Sequence, residues 1–362
     1  MVKPKVIAYY LPQFHPIPEN DQWWGKGFTE WTNVGKATPL FKGHYQPRVP
    51  ADLGYYDLRL PETRQAQAEL AARYGIHGFC YWHYWFNGRQ LLERPFNEVV
   101  KSGQPNFPFC LAWANESWRG FDHGLTSRRT LIEQTYGGVK DHTAHFDALL
   151  PAFLDSRYIR HQGRPLFAIY YPENIPDIHD FVDLWQSLAQ KNGLPGIYFV
   201  GLSAHPMESS LTSLQKLGMD AINTIRLEDF YGHIGRRSLM VRLKHKLSGE
   251  ALPNRMVNFS DVVPFFFNMQ DADPKIYPTI ISGWDHSPRT GREGLIMHDY
   301  TPEVFKKHVQ QILGLTKDKP VEDKIVFLKS WNEWAEGNYM EPDLKYGHQF
   351  LKALKDCLDE LS

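Results

Sequence analysis

Short apolar runs recur along the whole chain, and segments with the apolar spacing of helices separate many of them. Each run is four to six residues long, which is the length of a buried strand, and polar residues follow most of them. We predict a strand at each of eight runs, namely residues 6–10, 78–82, 109–113, 166–170, 197–202, 221–225, 279–283 and 325–328.

Helices are predicted between several of these runs. Pro61 opens one helix, and Gly75 ends it. Further helical patterns cover residues 142–154, 180–190 and 302–313. Strands that alternate with helices are typical of a (β/α)₈ barrel or of an open, doubly wound sheet.

Polar and aromatic side chains follow seven of the eight runs. In a barrel, the carboxyl ends of all strands meet on one face, where active sites form. The pattern therefore favours an α/β protein with a (β/α)₈ TIM barrel and long loops at its C-terminal face. Candidate substrate-binding residues at these strand ends are His15, Trp82, His83, Trp113, Asn115, Glu116, Tyr170, Glu173, His205, Trp284 and Asp285.

Two long connections interrupt the simple repeat, near residues 11–60 and 227–278. Loops of this length are often functional. The first carries two more candidate substrate contacts, Glu30 and Trp31. The second is basic, and we expect it to lie over the C-terminal face as a rim or lid; its cations are Arg236, Arg237, Arg242, Lys244 and Lys246.

No linker, repeat or low-complexity tract divides the chain, so we predict one catalytic domain over residues 1–362. The formal net charge of -1 gives no reason to expect nucleic-acid binding. The apolar stretch near the N-terminus is too short for a secretory signal, and no run approaches the length of a membrane span. We therefore predict a cytoplasmic, soluble enzyme without a transmembrane segment.

Residues 329–337 combine two carboxylates with two indoles and an amide, directly after the last predicted strand. Two carboxylates in one site can take different pKa values and divide acid and base roles. Tryptophan faces and amide groups suit sugar recognition. We predict Glu333 and Glu336 as catalytic residues, with Asn332 and Trp334 as substrate contacts.

The chain resembles the WbsX family over nearly its whole length. The resemblance rests on residues 9–15 (YYLPQFH), 27–31 (GFTEW), 43–47 (GHYQP), 78–86 (GFCYWHYWF), 113–116 (WANE) and 331–334 (WNEW). Members are often encoded with bacterial O-antigen and polysaccharide genes, and they are commonly named glycosyltransferases. The family also looks related to glycoside hydrolase family 99, a (β/α)₈ family of endo-acting α-mannosidases.

This resemblance implies roles for both acids. Glu333 corresponds to the residue that deprotonates the sugar 2-hydroxyl, and Glu336 corresponds to the general acid on the glycosidic oxygen. The implied chemistry is retaining, uses neither metal nor cofactor, and passes through a 1,2-anhydro sugar. Ala335 stands where family 99 is expected to carry a histidine, and this departure bears on the substrate.

Three functions remain open from the sequence. A retaining glycoside hydrolase acting on bacterial polysaccharide or O-antigen glycan is the first. A glycosyltransferase of lipopolysaccharide or O-antigen biosynthesis is the second, although the sequence shows no glycine-rich phosphate loop and no Asp-x-Asp pair at a strand end. A non-catalytic glycan-binding protein is the third, and it would not need a second buried acid. No His-Glu-x-x-His motif or paired cysteines predict a metal site.

Overall fold

The computed structural model describes residues 2–120, 129–204, 208–231, 253 and 255–361. Within these ranges, eight parallel strands form a closed barrel, because the first strand pairs with both the second and the eighth. The strands are β1 (Lys5–Tyr10), β2 (Ile76–Phe86), β3 (Phe109–Trp113), β4 (Arg164–Ile169), β5 (Tyr198–Ser203), β6 (Ala221–Thr224), β7 (Ile276–Ile281) and β8 (Ile325–Lys329). The prediction of a (β/α)₈ barrel is confirmed.

The barrel strands are apolar almost without interruption because both of their faces are covered. In β1, the side chains of Val6, Ile7 and Ala8 are fully buried. One strand face points into the barrel and the other meets the surrounding helices, so the sequence reads as a continuous apolar run. This is why each of the eight predicted runs overlaps a strand, although the seventh, predicted over residues 279–283, is the strand Ile276–Ile281.

Helices surround the barrel or lie in its connections. Three of the four predicted helices end within one residue of the prediction. The helix predicted from residue 142 begins earlier, at Gly138, because a polar first turn precedes its apolar stripe and places Asp141 where the helix dipole favours an acid. The helices are Pro18–Trp24, Glu30–Lys36, Pro61–Arg73, Arg94–Ser102, Gly138–Leu154, Ile178–Lys191, Glu208–Lys216, Phe259–Val262, Ser287–Thr290, Pro302–Gly314 and Gln349–Asp359.

Shorter elements decorate the ends of the barrel. Among them, Asn332–Glu333 pairs antiparallel with Asn338–Tyr339, and Arg255–Asn258 pairs parallel with Leu295–His298. Other short strands are Arg89–Leu91, Trp118–Arg119, Thr130–Ile132 and Arg160–His161, and 3₁₀ turns cover Pro172–Asn174, Val263–Phe265, Met269–Ala272, Gly291–Glu293, Val321–Asp323 and Trp334–Glu336.

The first long connection has structure of its own. It contains the helices Pro18–Trp24 and Glu30–Lys36, and the second of these begins with a reciprocal cap between Thr29 and Thr32. The backbone amide of Glu30 donates to the carbonyl of Gln13, which ties this helix to the end of β1. The connection thereby carries Glu30 to the C-terminal face of the barrel.

The second long connection is described only in part. Its basic residues Arg236, Arg237, Arg242, Lys244 and Lys246 lie outside the described residues, so its role as a rim or lid stays a prediction. None of the helices in the described ranges has the length and apolar character needed to traverse a bilayer.

Candidate active site

A cleft of about 420 Å³ opens at the carboxyl ends of the barrel strands. Every strand contributes to its lining, either by its last residues or by the loop that follows. The lining residues are Leu11, Gln13, Trp82, Tyr84, Ala114, Glu116, Trp118, Tyr170, Tyr171, Ala204, Ile225, Leu227, Glu228, Trp284, Arg289, Lys329, Glu333 and Glu336. Aromatic faces and carboxylates therefore share one concave site.

Glu333 is buried at this cleft and is held by hydrogen bonds to both carboxylate oxygens. The indole Nε1 of Trp82 donates to Oε1 at 2.7 Å, and Nζ of Lys329 donates to Oε2 at 2.9 Å. Burial raises the pKa of Glu333 above its ordinary value, the charge on Lys329 opposes that shift, and Glu336 adds to it. The carboxyl group is thus fixed in orientation and made more basic.

Trp82 is itself held by packing against the barrel interior. Its ring stacks on Tyr9 at 4.7 Å between centroids, and the hydroxyl of Tyr9 donates to Asn223 at 2.7 Å. The rings of Trp82 and Tyr170 also meet in a T-shaped contact. These contacts fix the position of the indole N–H group, which donates a hydrogen bond to Glu333.

Glu336 is paired with a buried arginine. Arg289, from the short helix after β7, donates Nη1 to Oε1 of Glu336 at 2.5 Å and Nη2 to Oε1 of Glu30 at 2.8 Å. Glu30 also accepts from the backbone amide of Ala335 at 3.2 Å. Glu30 therefore does not reach the cleft but positions Arg289 and the turn that carries Glu336.

Lys329 lies between the two catalytic candidates. Its Nζ is 2.9 Å from Oε2 of Glu333 and 3.9 Å from Oε2 of Glu336, and it lies 5.3 Å from the ring centroid of Trp284. Burial opposes protonation of Lys329, but the two carboxylates outweigh it and raise its pKa. The cleft floor thus holds a charged ammonium group beside both acids.

Asp285 lies beneath the loop of Glu336 rather than in the cleft. Its carboxylate accepts from Gln46 at 2.7 Å, from His44 at 2.9 Å and from Arg48 at 3.4 Å. Nδ1 of His44 accepts from the amide of Leu40, so Nε2 carries the proton that it donates to Asp285. These contacts anchor the first long connection to the end of β7.

The same cluster explains the glycine after Glu336. Gly337 has a φ of 62°, and a Cβ there would lie 2.7 Å from both Nη1 of Arg48 and Cβ of Asp285. The backbone amide of Asp285 donates to the carbonyl of Glu336 at 2.6 Å. Only glycine combines this backbone conformation with such a close approach.

We expect Asp285→Ala to lower the free energy of unfolding by about 3–5 kcal/mol, because it leaves the buried Arg48 without its carboxylate. Although burial alone would raise the pKa of Asp285, His44 and Arg48 hold it well below its ordinary value. The stabilisation is therefore present above the unfolded-state pKa of about 3.9 and is lost as the pH falls below it. Urea unfolding at pH 7 measures the effect.

The exposed Asp318 provides the matched control, and Asp318→Ala should change stability by less than about 0.5 kcal/mol. Equal stability of the two variants would contradict a stabilising role for Asp285.

Six of the predicted site residues line the cleft: Trp82, Glu116, Tyr170, Trp284, Glu333 and Glu336. Other predicted residues lie behind the cleft and contact the segments that form it. Asn332 donates to the carbonyl of Leu11 at 3.1 Å and accepts from its amide at 2.7 Å. Trp334 stacks on Tyr339, and Trp31 packs against Trp334.

His83 and Trp113 point away from the cleft toward the outer helices. Successive side chains on a strand alternate between its two faces, so His83 faces opposite to Trp82. His83 and Trp113 are register partners on β2 and β3. Nε2 of His83 lies 2.8 Å from Nε2 of His145 on the helix Gly138–Leu154, and burial lowers the pKa of both rings.

The remaining predicted residues are distributed around the site. His15 is buried beside β1, with 1% of its surface exposed. Asn115 donates to the carbonyl of Tyr171 at 2.7 Å and accepts from its amide at 2.8 Å. Glu173 is exposed on the turn Pro172–Asn174, and His205 lies outside the described residues.

Twelve of the residues that line the cleft were not among the sequence candidates, and they include Trp118, Glu228, Arg289 and Lys329. Lys329 had a local signal, since it ends the eighth apolar run and lies four residues before Glu333. No local pattern in the sequence pointed to Arg289, because its two carboxylate partners are 47 and 259 residues away in sequence.

No group of three or more His, Cys, Asp or Glu within the described ranges is arranged to hold a metal ion. The hydrogen-bonding and ionic groups of the described cleft lining include carboxylates, hydroxyls, the amide of Gln13 and two cations.

A model of the family described as "Glycosyltransferase WbsX" matches residues 6–354. Two curated proteins named "Uncharacterized protein WxcX", from two strains of Xanthomonas campestris pv. campestris, are each 34% identical over 363 aligned positions. The alignment covers 98% of this chain and 49% of each relative, so the chain spans about half the length of the curated relatives that it matches.

Solved structures share the fold at low sequence identity. A "Glycoside hydrolase-like protein" superposes with a TM-score of 0.60 at 14% identity, covering 99% of this chain and 94% of that chain. The glycoside hydrolase family 99 endo-α-mannosidase from Bacteroides thetaiotaomicron superposes with a TM-score of 0.59 at 14% identity, covering 100% and 98%. The chain therefore has the glycoside hydrolase-like barrel fold of these proteins.

Proposed function

Because this chain belongs to the WbsX family, we propose that it is a carbohydrate-active enzyme, and that its cleft hydrolyses glycosidic bonds with retention of configuration. The observation that carries the proposal is the placement of Glu333 and Glu336 in one cleft after β8, each paired with its own cation. The likeness to a family 99 endo-α-mannosidase supports internal cleavage of an α-linked chain. A bacterial polysaccharide or O-antigen glycan is the proposed substrate.

In the proposed first step, Glu336 gives its proton to the glycosidic oxygen as the C1–O bond breaks. Glu333 takes the proton of the 2-hydroxyl, and O2 attacks C1 to form a 1,2-anhydro sugar. In the second step, Glu336 removes a proton from water, which attacks C1 and opens the ring. O2 leaves C1 and recovers its proton from Glu333, so both acids return to their starting states.

The contacts of Glu333 support its role as the base, and those of Glu336 distinguish its two oxygens. A carboxylate whose pKa is raised is a stronger base, and two donors hold Glu333 in a single orientation. Arg289 fixes Oε1 of Glu336, while Oε2 is 3.9 Å from Nζ of Lys329 and beyond hydrogen-bond distance. Oε2 is therefore the oxygen that we assign to carry the proton.

The charge of the cleft favours hydrolysis over transfer from a sugar nucleotide. Its lining contains Glu116, Glu228, Glu333 and Glu336 against Arg289 and Lys329, so its formal charge is -2 with all four glutamates ionised and -1 with Glu336 protonated as the acid. Both cations already form ion pairs with the acids. A nucleotide diphosphate would add negative charge to this site at an electrostatic cost. A non-catalytic binding site would gain nothing from burying Glu333 and raising its pKa.

The proposal is tested by incubating the protein with purified bacterial O-polysaccharides in the presence of EDTA, with and without sugar nucleotides. We expect new reducing ends without any nucleotide, and the first-formed anomer seen by NMR should retain the configuration of the substrate. Turnover that requires a nucleotide would identify a transferase instead. Binding without turnover in either arm would identify a glycan-binding protein.

A further inference from the structure

A second cavity, of about 480 Å³, adjoins the cleft on the side of β3 and β4. It shares Glu116 and Tyr171 with the cleft, so the two spaces lie side by side against these side chains. Its volume lies in the range typical of small-molecule sites. The lining is polar and consists of Asn115, Glu116, Ser117, Arg119, Gln134, Tyr136, Tyr171 and Asn174.

Gln134 presents an acceptor that lacks a partner in the described part of the chain. Its Oε1 is buried and makes no hydrogen bond there, whereas its Nε2 donates to the carbonyl of Thr135 at 3.1 Å. A buried acceptor left without a donor costs about 1–3 kcal/mol. Rotation of the Gln134 side chain toward the cavity would let a hydroxyl group of a ligand satisfy this oxygen.

The wall around Gln134 is already ordered by hydrogen bonds. Nδ2 of Asn115 donates to the hydroxyl of Tyr136 at 3.0 Å and to the carbonyl of Tyr171 at 2.7 Å. Oγ of Ser117 accepts from the backbone amide of Gln134 at 2.9 Å. Ligand binding would therefore not require these groups to become ordered, which favours affinity.

We propose that this cavity is a second sugar-binding subsite, which takes an uncharged, hydroxyl-rich unit of the glycan whose scissile bond lies in the cleft. Its one acid, Glu116, and its one base, Arg119, give a formal charge of zero, and amides and hydroxyls supply the remaining contacts. Because both spaces border Tyr171, one glycan chain that passes this side chain would occupy both. The inference rests on the proposed function for the identity of the ligand, but binding tests it without turnover.

The experiment is a double-mutant cycle between the protein and the glycan, carried out on the Glu336→Gln protein so that cleavage is slow on the time scale of the titration. The probe is a set of O-polysaccharide fragments of two to six sugar residues, measured by titration calorimetry. Gln134→Ala should weaken binding of the longer fragments by about five- to tenfold, because one hydrogen bond is lost. It should leave unchanged the binding of fragments too short to reach the cavity.

Removal of the terminal sugar and the Gln134→Ala change should then be non-additive, because they remove the same contact. Gln190→Ala, at an exposed position on the helix Ile178–Lys191, is the matched control and should have no effect. Equal loss for short and long fragments, or no loss for either, would overturn the subsite. Failure of the native protein to cleave glycans that it binds would overturn only the proposed hydrolysis.

Discussion

Replacement of Glu336 by glutamine is expected to lower kcat on the natural glycan by about a hundred- to ten-thousand-fold. The change removes the proton donor to the leaving oxygen but keeps a carbonyl that can accept from Arg289. A substrate with a very good leaving group needs little protonation, so an aryl glycoside with an acidic phenol should recover much of the rate. Measurement of kcat on the natural glycan and on the aryl glycoside tests the two effects.

Glu333→Gln should cause a loss of similar size that the activated substrate does not rescue. Attack by the 2-hydroxyl still requires a base, whichever group leaves from C1. The contrast between the two variants therefore distinguishes the roles of the acids. Equal rescue of both would refute the division of roles, and full activity of either on the natural glycan would refute the assignment of the pair. Thermal unfolding of each variant checks that the fold is intact.

In the pH profile of kcat/KM, Lys329→Met is expected to shift the acidic limb to higher pH by about one to three units. Glu333 must be ionised to act as a base, and burial already raises its pKa, while Lys329 opposes that rise. Loss of the ammonium raises the pKa of Glu333 further, so the carboxyl group stays protonated to higher pH. Activity near neutral pH should fall accordingly and recover partly at alkaline pH.

Two further variants make this result interpretable. Lys329→Arg keeps a positive charge and should return the acidic limb close to its native position. Lys352→Met removes an exposed lysine from the last helix and should leave the profile unchanged. A uniform drop in kcat/KM at every pH, without movement of the limb, would show that Lys329 supports the fold rather than the charge of Glu333.

Much of the barrel could be predicted from the chain because its signals are local. Each strand is buried on both faces, so each appears as a separate apolar run. The chemistry is also partly local, since barrel sites form at the carboxyl ends of strands and the polar residues there follow the runs directly. Glu333 and Glu336 were found in this way, as were Trp82, Glu116 and Tyr170.

The sequence did not separate cleft residues from their neighbours. Trp82 and His83 are adjacent and equally plausible as ligands of a sugar, but one faces the cleft and the other faces His145. In the same way, Trp284 lines the cleft, whereas its neighbour Asp285 lies in a buried cluster with Gln46. Which strand face points inward depends on the register of the closed barrel, and no local pattern in a fully apolar strand records it.

The sequence by itself determined the eight strands, the face on which the site forms and the two catalytic candidates. The tertiary structure decided the electrostatics of that site: the pairing of Glu336 with Arg289, the support of Arg289 by Glu30, and the place of Lys329 between both acids. Burial and charge pairing act through space between residues that lie on different connections. Their effects on proton affinity therefore exist only once the barrel has closed.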